Sequence, residues 1–388
     1  MKNLLFVTAI SLVLAGCGNK AGTTMNGDDD DDDVGSDGGN PPPAKVPLIV
    51  GTGSGLQVWA DSASITSDVD PDVTVKGDVA NGVTAIAISG DRLYVGRKGM
   101  AVPPGSDGGS AILAYDGAHT LTASATAVAI VKTPLDSDEL RVDTADNLWD
   151  DVTAGQEVFR YASASTLAAT AGPAATFTHP NMQLPSFAVE TTSQRLFAGQ
   201  ISGTGVIAWN DAMTATGSPP DDFTLSLGAY WGMRVDHDRL YAVGQHLSSG
   251  TGPAVESGVA IWANASAITG TATPIIIKTG YQGGGFIQNL ALRDDILVVV
   301  ARDQKAIMIY KHASALSADV APDFTITDHL SAPGRAVIDA SHRLYIADTG
   351  GVLVFDTIDT APTFVTQLAT AATGTVETTR PIDLVLAE

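Results

Sequence analysis

Residues 91–96 read DRLYVG, and the chain repeats this phrase about every 50 residues. Further copies are RLFAG at 195–199, RLYAVG at 239–244, DILVVV at 295–300 and RLYIA at 343–347, with degenerate versions at 147–149 and 48–51. Each copy is followed by a Gly-rich turn and a second apolar run that ends in an aromatic residue. Those residues are Trp59, Tyr115, Tyr161, Trp209, Trp262, Tyr310 and Phe355. Short apolar and β-branched runs between Gly, Asn, Asp and Pro clusters are the signature of strands joined by tight turns. In the repeat that contains Trp262, the predicted strands are 231–236 (WGMRVD), 239–244, 258–262 (GVAIW) and 273–277 (TPIII). Turn signals at 237–238, 249–253 and 264–270 separate them.

A four-stranded antiparallel sheet with apolar residues on both faces needs a neighbour on each side, and a ring supplies both. First strands are predicted at 83–88, 139–143, 186–190, 232–236, 289–293 and 335–339, which leaves the N-terminal repeat without one. The orphan run PIDLVLA at 381–387 has the first-strand pattern and fills the gap beside 48–51, with Leu384 expected near Ile49. The expected fold is therefore all-β, a seven-bladed β-propeller of four-stranded antiparallel blades over residues 47–388. The C-terminal strand closes it by pairing in the N-terminal blade. Pro71-Asp72, 219–222 (PPDD) and Pro322-Asp323 open the outermost strands, where missing donors and negative charge discourage pairing with another molecule, so a monomer is expected.

Bulk composition agrees with this. At 388 residues, with 44% hydrophobic but only 16% charged residues, the chain is poor in the Lys, Glu and Arg that decorate helices, and its 40 glycines suit turns. A formal charge of −22 opposes binding to a phosphate backbone or to anionic headgroups, so no nucleic acid partner is expected and membrane association needs another cause.

That cause is at the N-terminus. Lys2, the apolar run 4–14 and the sequence Leu14-Ala15-Gly16-Cys17 resemble a bacterial lipoprotein signal peptide. The resemblance implies removal of residues 1–16 and acylation of Cys17, the only cysteine of the chain, with palmitate among the acyl groups. Gly18, in place of the Asp that marks inner-membrane retention in such lipoproteins, implies the outer membrane. Residues 17–46 then form a tether, with aspartates at 28–33 and prolines at 41–43 keeping it extended. Its acidic run is read as a solvated spacer, ahead of weak calcium capture or a surface-export signal.

Counting back along each first strand gives the residues expected at the mouth of the central channel: Ala85, Glu139, Ser186, Gly232, Asn289, Arg335 and Asp383. Two residues further on stand Ala87, Arg141, Ala188, Arg234, Ala291, Val337 and Val385. Loops at 97–110, 150–156 and 245–257 fall on the same face. Tyr230, Trp231, Tyr281 and Phe286 are carried there too, as stacking platforms or as packing between blades. The candidate ligand-binding residues are Tyr230, Trp231, Tyr281, Asn289 and Arg335.

The Ala-x-x-Leu pattern after the aromatic (161–167, 310–316), the Pro-Asp-x-Thr that follows, and first strands ending in Asp143, Asp236 and Asp339 resemble NHL-type and YVTN-type β-propellers, including the gluconolactonase-like group. That group implies a divalent cation held by Glu, Asn and Asp, which Glu139, Asn289 and Asp383 would provide here for Ca2+. Arg335, Arg141 and Arg234 in the same region compete for those carboxylates, and a salt-bridged plug is the expected state. The seven histidines show no HxH or HExxH spacing, and there is no Gly-x-Ser-x-Gly elbow, so no catalytic residue is assigned and no cofactor is expected. The resulting expectation is a lipid-anchored binding or scaffold module for a protein, peptide or glycan at the cell envelope. The alternative is a lactonase-like, metal-dependent hydrolase.

Overall fold

The computed structural model describes residues 45–388 except 81, 100–108, 153–155, 180–184, 201–204, 227, 248–254, 283–286 and 371–380. The segment expected to be a signal peptide, Cys17 and the expected tether as far as residue 44 lie outside the described residues. Blade 1 holds β1 (Leu48–Thr52), β2 (Gly55–Trp59) and β3 (Val73–Val75). Blade 2 holds β4 (Val83–Ser89), β5 (Arg92–Arg97), β6 (Ala111–Asp116) and β7 (Ala129–Lys132). Blade 3 holds β8 (Glu139–Val142), β9 (Leu148–Val152), β10 (Glu157–Tyr161) and β11 (Ala175–Thr178). Blade 4 holds β12 (Phe187–Glu190), β13 (Arg195–Gly199), β14 (Gly205–Trp209) and β15 (Phe223–Ser226). In blade 5 are β16 (Ala229–Asp236), β17 (Arg239–Leu247), β18 (Val255–Ala263) and β19 (Ile275–Gln282). In blade 6 are β20 (Ile287–Arg293), β21 (Ile296–Ala301), β22 (Ala306–Lys311) and β23 (Phe324–Ile326). Blade 7 is β24 (Ala336–Ile338), β25 (Arg343–Asp348), β26 (Gly351–Thr357) and β27 (Phe364–Leu368).

The last strand, β28 (Pro381–Leu386), returns to blade 1, whose strand order is β28-β1-β2-β3. Every blade is thus a four-stranded antiparallel sheet, and the propeller has seven. The closing register pairs Ile49 with Val385 and Val50 with Leu384, one residue from the expected pairing, and Ala387 N donates to Pro47 O at 3.0 Å.

No blade has a core of its own. The buried apolar residues form seven clusters, and each draws on two neighbouring blades, the one between blades 7 and 1 included. Alternation along the strands produces this: Leu384 and Leu386 of β28 face blade 7, while Val385 and Ala387 face blade 2.

The repeated phrase has a mechanical meaning. Its Arg crosses to the neighbouring blade and caps the carbonyls of the short 3₁₀ turn that follows strand three there. Arg92 donates to Ser165 O and, at 2.9 Å, to Leu167 O. Arg195 reaches Ala265 O at 3.2 Å and Ile268 O at 2.9 Å, and Arg239 reaches Leu316 O at 2.6 Å. Arg343 of blade 7 donates to Ser62 O and Ala63 O of blade 1, each at 2.9 Å, and to Ile65 O, so the same device fastens the closing interface. The terminal Gly has a steric meaning, since a Cβ on Gly51 would lie 2.5 Å from Val83 of blade 2 and one on Gly199 would lie 2.9 Å from Tyr230 O of blade 5.

The aspartates after Pro71 and Pro322, and Asp222 in the PPDD run, do more than discourage edge pairing. Asp72, Asp222 and Asp323 accept hydrogen bonds from the backbone N–H of Ala60, Asn210 and Lys311 at 2.8, 2.7 and 2.7 Å, which fixes the entry to the outermost strand.

Deleting residues 381–388 is expected to expose two interblade clusters and to replace the single cooperative thermal transition by a broad one at lower temperature, read by circular dichroism. Arg343→Ala removes charge-assisted bonds to three carbonyls and is expected to cost about 1.5–3 kcal/mol in urea unfolding, without restoration by Lys, which lacks the fork.

Candidate functional site at the channel mouth

The first strands of all blades begin on one face, and there the structure gathers charged side chains from non-adjacent blades. Glu139 opens β8 in blade 3, Arg234 lies in β16 of blade 5, and Arg335 directly precedes β24 of blade 7. A carboxylate touched from blades 3, 5 and 7 of a closed ring stands at its axis. Glu139 Oε1 accepts from Arg141 Nε at 3.0 Å and Nη2 at 2.5 Å, from Arg234 Nη1 at 3.1 Å and from Arg335 Nη1 at 3.3 Å. Its Oε2 accepts from Ser186 Oγ at 2.7 Å and from Phe187 N at 3.4 Å. Ser186 Oγ in turn accepts from Met233 N at 3.1 Å, while Arg141 and Arg234 each donate to Met233 O at 2.7 Å.

Arg335 extends the network to the closing strand. Its Nη2 donates to Asp138 O at 2.9 Å, and its Nε stands 3.9 Å from Asp383 Oδ1. Asp383 accepts from Ile86 N at 3.0 Å and from Leu384 N at 2.9 Å. The Glu139 side chain is 3% exposed, whereas those of Arg141, Arg234 and Arg335 are 19%, 29% and 21% exposed. Burial pulls the Arg141 guanidinium below its ordinary pKa, although Glu139 opposes this. For Arg335, burial acts downward but Asp383 and Glu139 outweigh it and leave the group raised. Burial raises Asp383, against the pull of Arg335.

The expected salt-bridged cluster of Glu139, Asp383, Arg141, Arg234 and Arg335 is brought together. Asn289 is 3% exposed, but its Oδ1 has no partner among the described residues, and no hydrogen bond joins it to Glu139 or Asp383. Tyr230, expected as a possible stacking platform, is fully buried between blades 4 and 5 and meets Trp262 edge-on at 5.9 Å, so its ring faces no solvent. The reason is Gly199, whose missing Cβ leaves the space that Tyr230 takes. Trp231 is half-buried, beside a register shift between Tyr230 and Gly232. Tyr281 lies in β19 with its side chain outside the described residues, as are Phe286 and the loop segments 100–108, 153–155 and 248–254. His237 and His342 sit at the far end of the first strands, paired with Asp236 at 2.8 Å and with Asp359 at 2.8 Å.

Sequence reasoning missed Asp150 and Asp151. Both are 0% exposed, and among the described residues none of their four carboxylate oxygens has a hydrogen-bond partner of good geometry, Ser137 being the nearby hydroxyl that acts on Asp150. Asp151 stands opposite Glu139 in the β8–β9 pairing and takes the place in the repeated phrase where Gly51, Gly96 and Gly199 occur. Burial lifts Asp151 well above the usual carboxylate range, with Asp138, Glu139 and Asp150 adding to it and Arg335 opposing. Asp150, opposite Leu140, is pushed up to about 7 by burial, while the nearby Ser137 hydroxyl acts downward. A departure from the repeat, LWDDV where siblings are apolar or small, was the available signal.

No protein-family model matches the sequence, and no curated protein matches it either. Solved structures do resemble it. A Bacteroides fragilis protein provisionally assigned as a 6-phosphogluconolactonase superposes with a TM-score of 0.60 at 12% identity, covering 89% of this chain and 99% of its own. A Lactobacillus plantarum protein gives 0.59 at 13% identity, covering 88% and 99%, and hydrazine synthase of Kuenenia stuttgartiensis gives 0.56 at 10%, covering 79% and 90%. At these identities the likeness is one of fold.

Asp150 holds its proton in the folded chain from its ordinary 3.8 up to about 7, while the unfolded chain has lost it, so this group lowers stability as pH rises through that window. Asp150→Asn is expected to raise Tm at pH 8 by several degrees and to flatten the fall in Tm between pH 5 and 8, measured by differential scanning calorimetry.

Proposed function

We propose that this chain is a lipid-anchored β-propeller of the cell envelope that acts as a non-catalytic binding or scaffold module, using the face with the channel mouth to hold a protein, peptide or glycan. One observation carries the reading: a single buried carboxylate, Glu139, receives three guanidiniums. Such a cluster fixes the geometry of a surface, because each partner is held by further bonds to Met233 O, Asp138 O or Ser186 Oγ. Guanidiniums remain protonated and serve neither as nucleophile nor as base. The anchoring half of the proposal rests on Cys17 and the apolar run before it.

A second reading, a lactonase-like hydrolase with Ca2+ at the mouth, draws on the fold neighbour and on the unpartnered Oδ1 of Asn289. The other two proposed ligands do not fit a cation as they stand. Glu139 Oε1 already accepts from three arginines, Asp383 accepts two backbone N–H groups, and three positive charges stand where the ion would sit.

Two measurements test the proposal. Expressed in a bacterium that processes lipoproteins, the chain is expected to partition into detergent and to incorporate labelled palmitate, and Cys17→Ser to do neither; soluble wild-type protein would remove the anchor from the proposal. Purified residues 18–388 are expected to bind on a glycan or peptide array and to leave lactones intact with or without calcium. Calcium-dependent lactone hydrolysis that Asp383→Asn abolishes would replace the binding reading by the enzymatic one.

A further inference from the structure

We propose that the channel mouth is an anion site, in which Arg141, Arg234 and Arg335 together hold the carboxylate of an acidic ligand. The inference rests on the binding-module reading and names the ligand chemistry of that same site. It begins with unused donors. Arg141 spends Nε and Nη2 on Glu139 and Met233, and Arg234 spends only Nη1. Among the described residues nothing accepts from Arg141 Nη1 or from Arg234 Nε and Nη2, and the two side chains are 19% and 29% exposed.

Charge gives the same direction. Three guanidiniums converge on one oxygen of Glu139; Asp383 and Asp138 also act on Arg335, so Arg141 and Arg234 are left to share Glu139, the one ion-pair partner of either among the described residues, and one positive charge between them is uncompensated. Asp151, the next carboxyl in line, makes no ion pair with Arg141 or Arg234 among the described residues, and burial and its acidic neighbours disfavour its charged form. Burial depresses the Arg141 guanidinium, and the charge of Arg335 adds a smaller push in the same direction against the opposing pull of Glu139. A chain of net charge −22 thus keeps an electropositive spot at the axis of its ring.

The size of the deficit selects the ligand. One carboxylate neutralises a surplus of one, and a planar guanidinium with two free N–H groups receives it in parallel bonds. A phosphate dianion overshoots the deficit and meets the buried Glu139 and Asp383 charges beside it.

Calorimetric titration of purified residues 18–388 at low salt, with glucuronate, acetate, glucose and inorganic phosphate as probes, tests the site. Saturable binding of glucuronate and acetate is expected, with none for glucose and weaker binding for phosphate. Arg234→Gln keeps most of the side-chain packing and is expected to weaken glucuronate binding roughly tenfold, as loss of a charge-assisted contact does. Glu139→Gln separates the site from a purely structural plug. It is expected to lower Tm yet to bind glucuronate more tightly, because the surplus charge grows, and to regain thermal stability when the ligand is added.

Absence of saturable binding of glucuronate and acetate to the folded wild type overturns the proposal, as does equal affinity in Arg234→Gln. Either result leaves the binding-module reading standing if the array still shows a neutral ligand. Conversely, anion binding as expected together with lactone hydrolysis would overturn that reading and leave the anion site in place.

Discussion

The structure depends on the fact that its apolar surface is shared between blades. Each of the seven clusters takes residues from two neighbouring sheets, so a blade with an open side leaves one of its faces in water. Closure is therefore a condition for the stability of every blade. The chain meets it twice at one place, by pairing β28 with β1 and by sending Arg343 across to the carbonyls of Ser62, Ala63 and Ile65. The second device is the ordinary interblade staple of this molecule, used once more between its last blade and its first.

That staple explains why the fold could be read from a six-residue phrase. Arg92, Arg195, Arg239 and Arg343 recur because each caps a turn in the next blade, and Gly51, Gly96 and Gly199 recur where a Cβ would crowd a neighbouring chain or side chain. Features imposed by packing on every blade must repeat, and repetition is visible in sequence. Blade 6 shows the limit: Ile296 stands where the Arg would be, and only the apolar pattern and the spacing identify the repeat. The closing register was legible to within one residue, since alternation fixes which face each side chain takes but says less about which partner each residue meets.

The site was legible in part for the same reason. Glu139, Arg335 and Asp383 were placed at the mouth by counting along first strands, because strand periodicity positions side chains relative to the axis. Tyr230 occupies the same end of its strand, yet its ring enters the blade 4–5 cluster. Strand position alone does not distinguish the channel from the interblade gap; the absent Cβ of Gly199, in a different repeat, decides it. Asp151 was hidden in the opposite way. It occupies a position where siblings are small, and its buried carboxyl has no hydrogen-bond partner among the described residues, an arrangement no general pattern anticipates.

The interblade staples and the charged cluster lie at opposite ends of the blades. The Arg staples, the Asp caps and the 3₁₀ turns stand where first strands end and third strands end, whereas Glu139, Arg335 and Asp383 stand where first strands begin. Residues at the mouth can vary without loosening the staples, which is how a fold shared at 10–13% identity with other propellers can carry different chemistry. A buried ion-pair cluster contributes little net stability, since desolvation offsets most of its Coulombic attraction. Three guanidiniums held around Glu139 at the axis therefore add little net stability, although loss of Glu139 would leave their charges unpaired. The cluster, built from three non-adjacent blades of the ring, is the part of this molecule on which the proposed ligand would act.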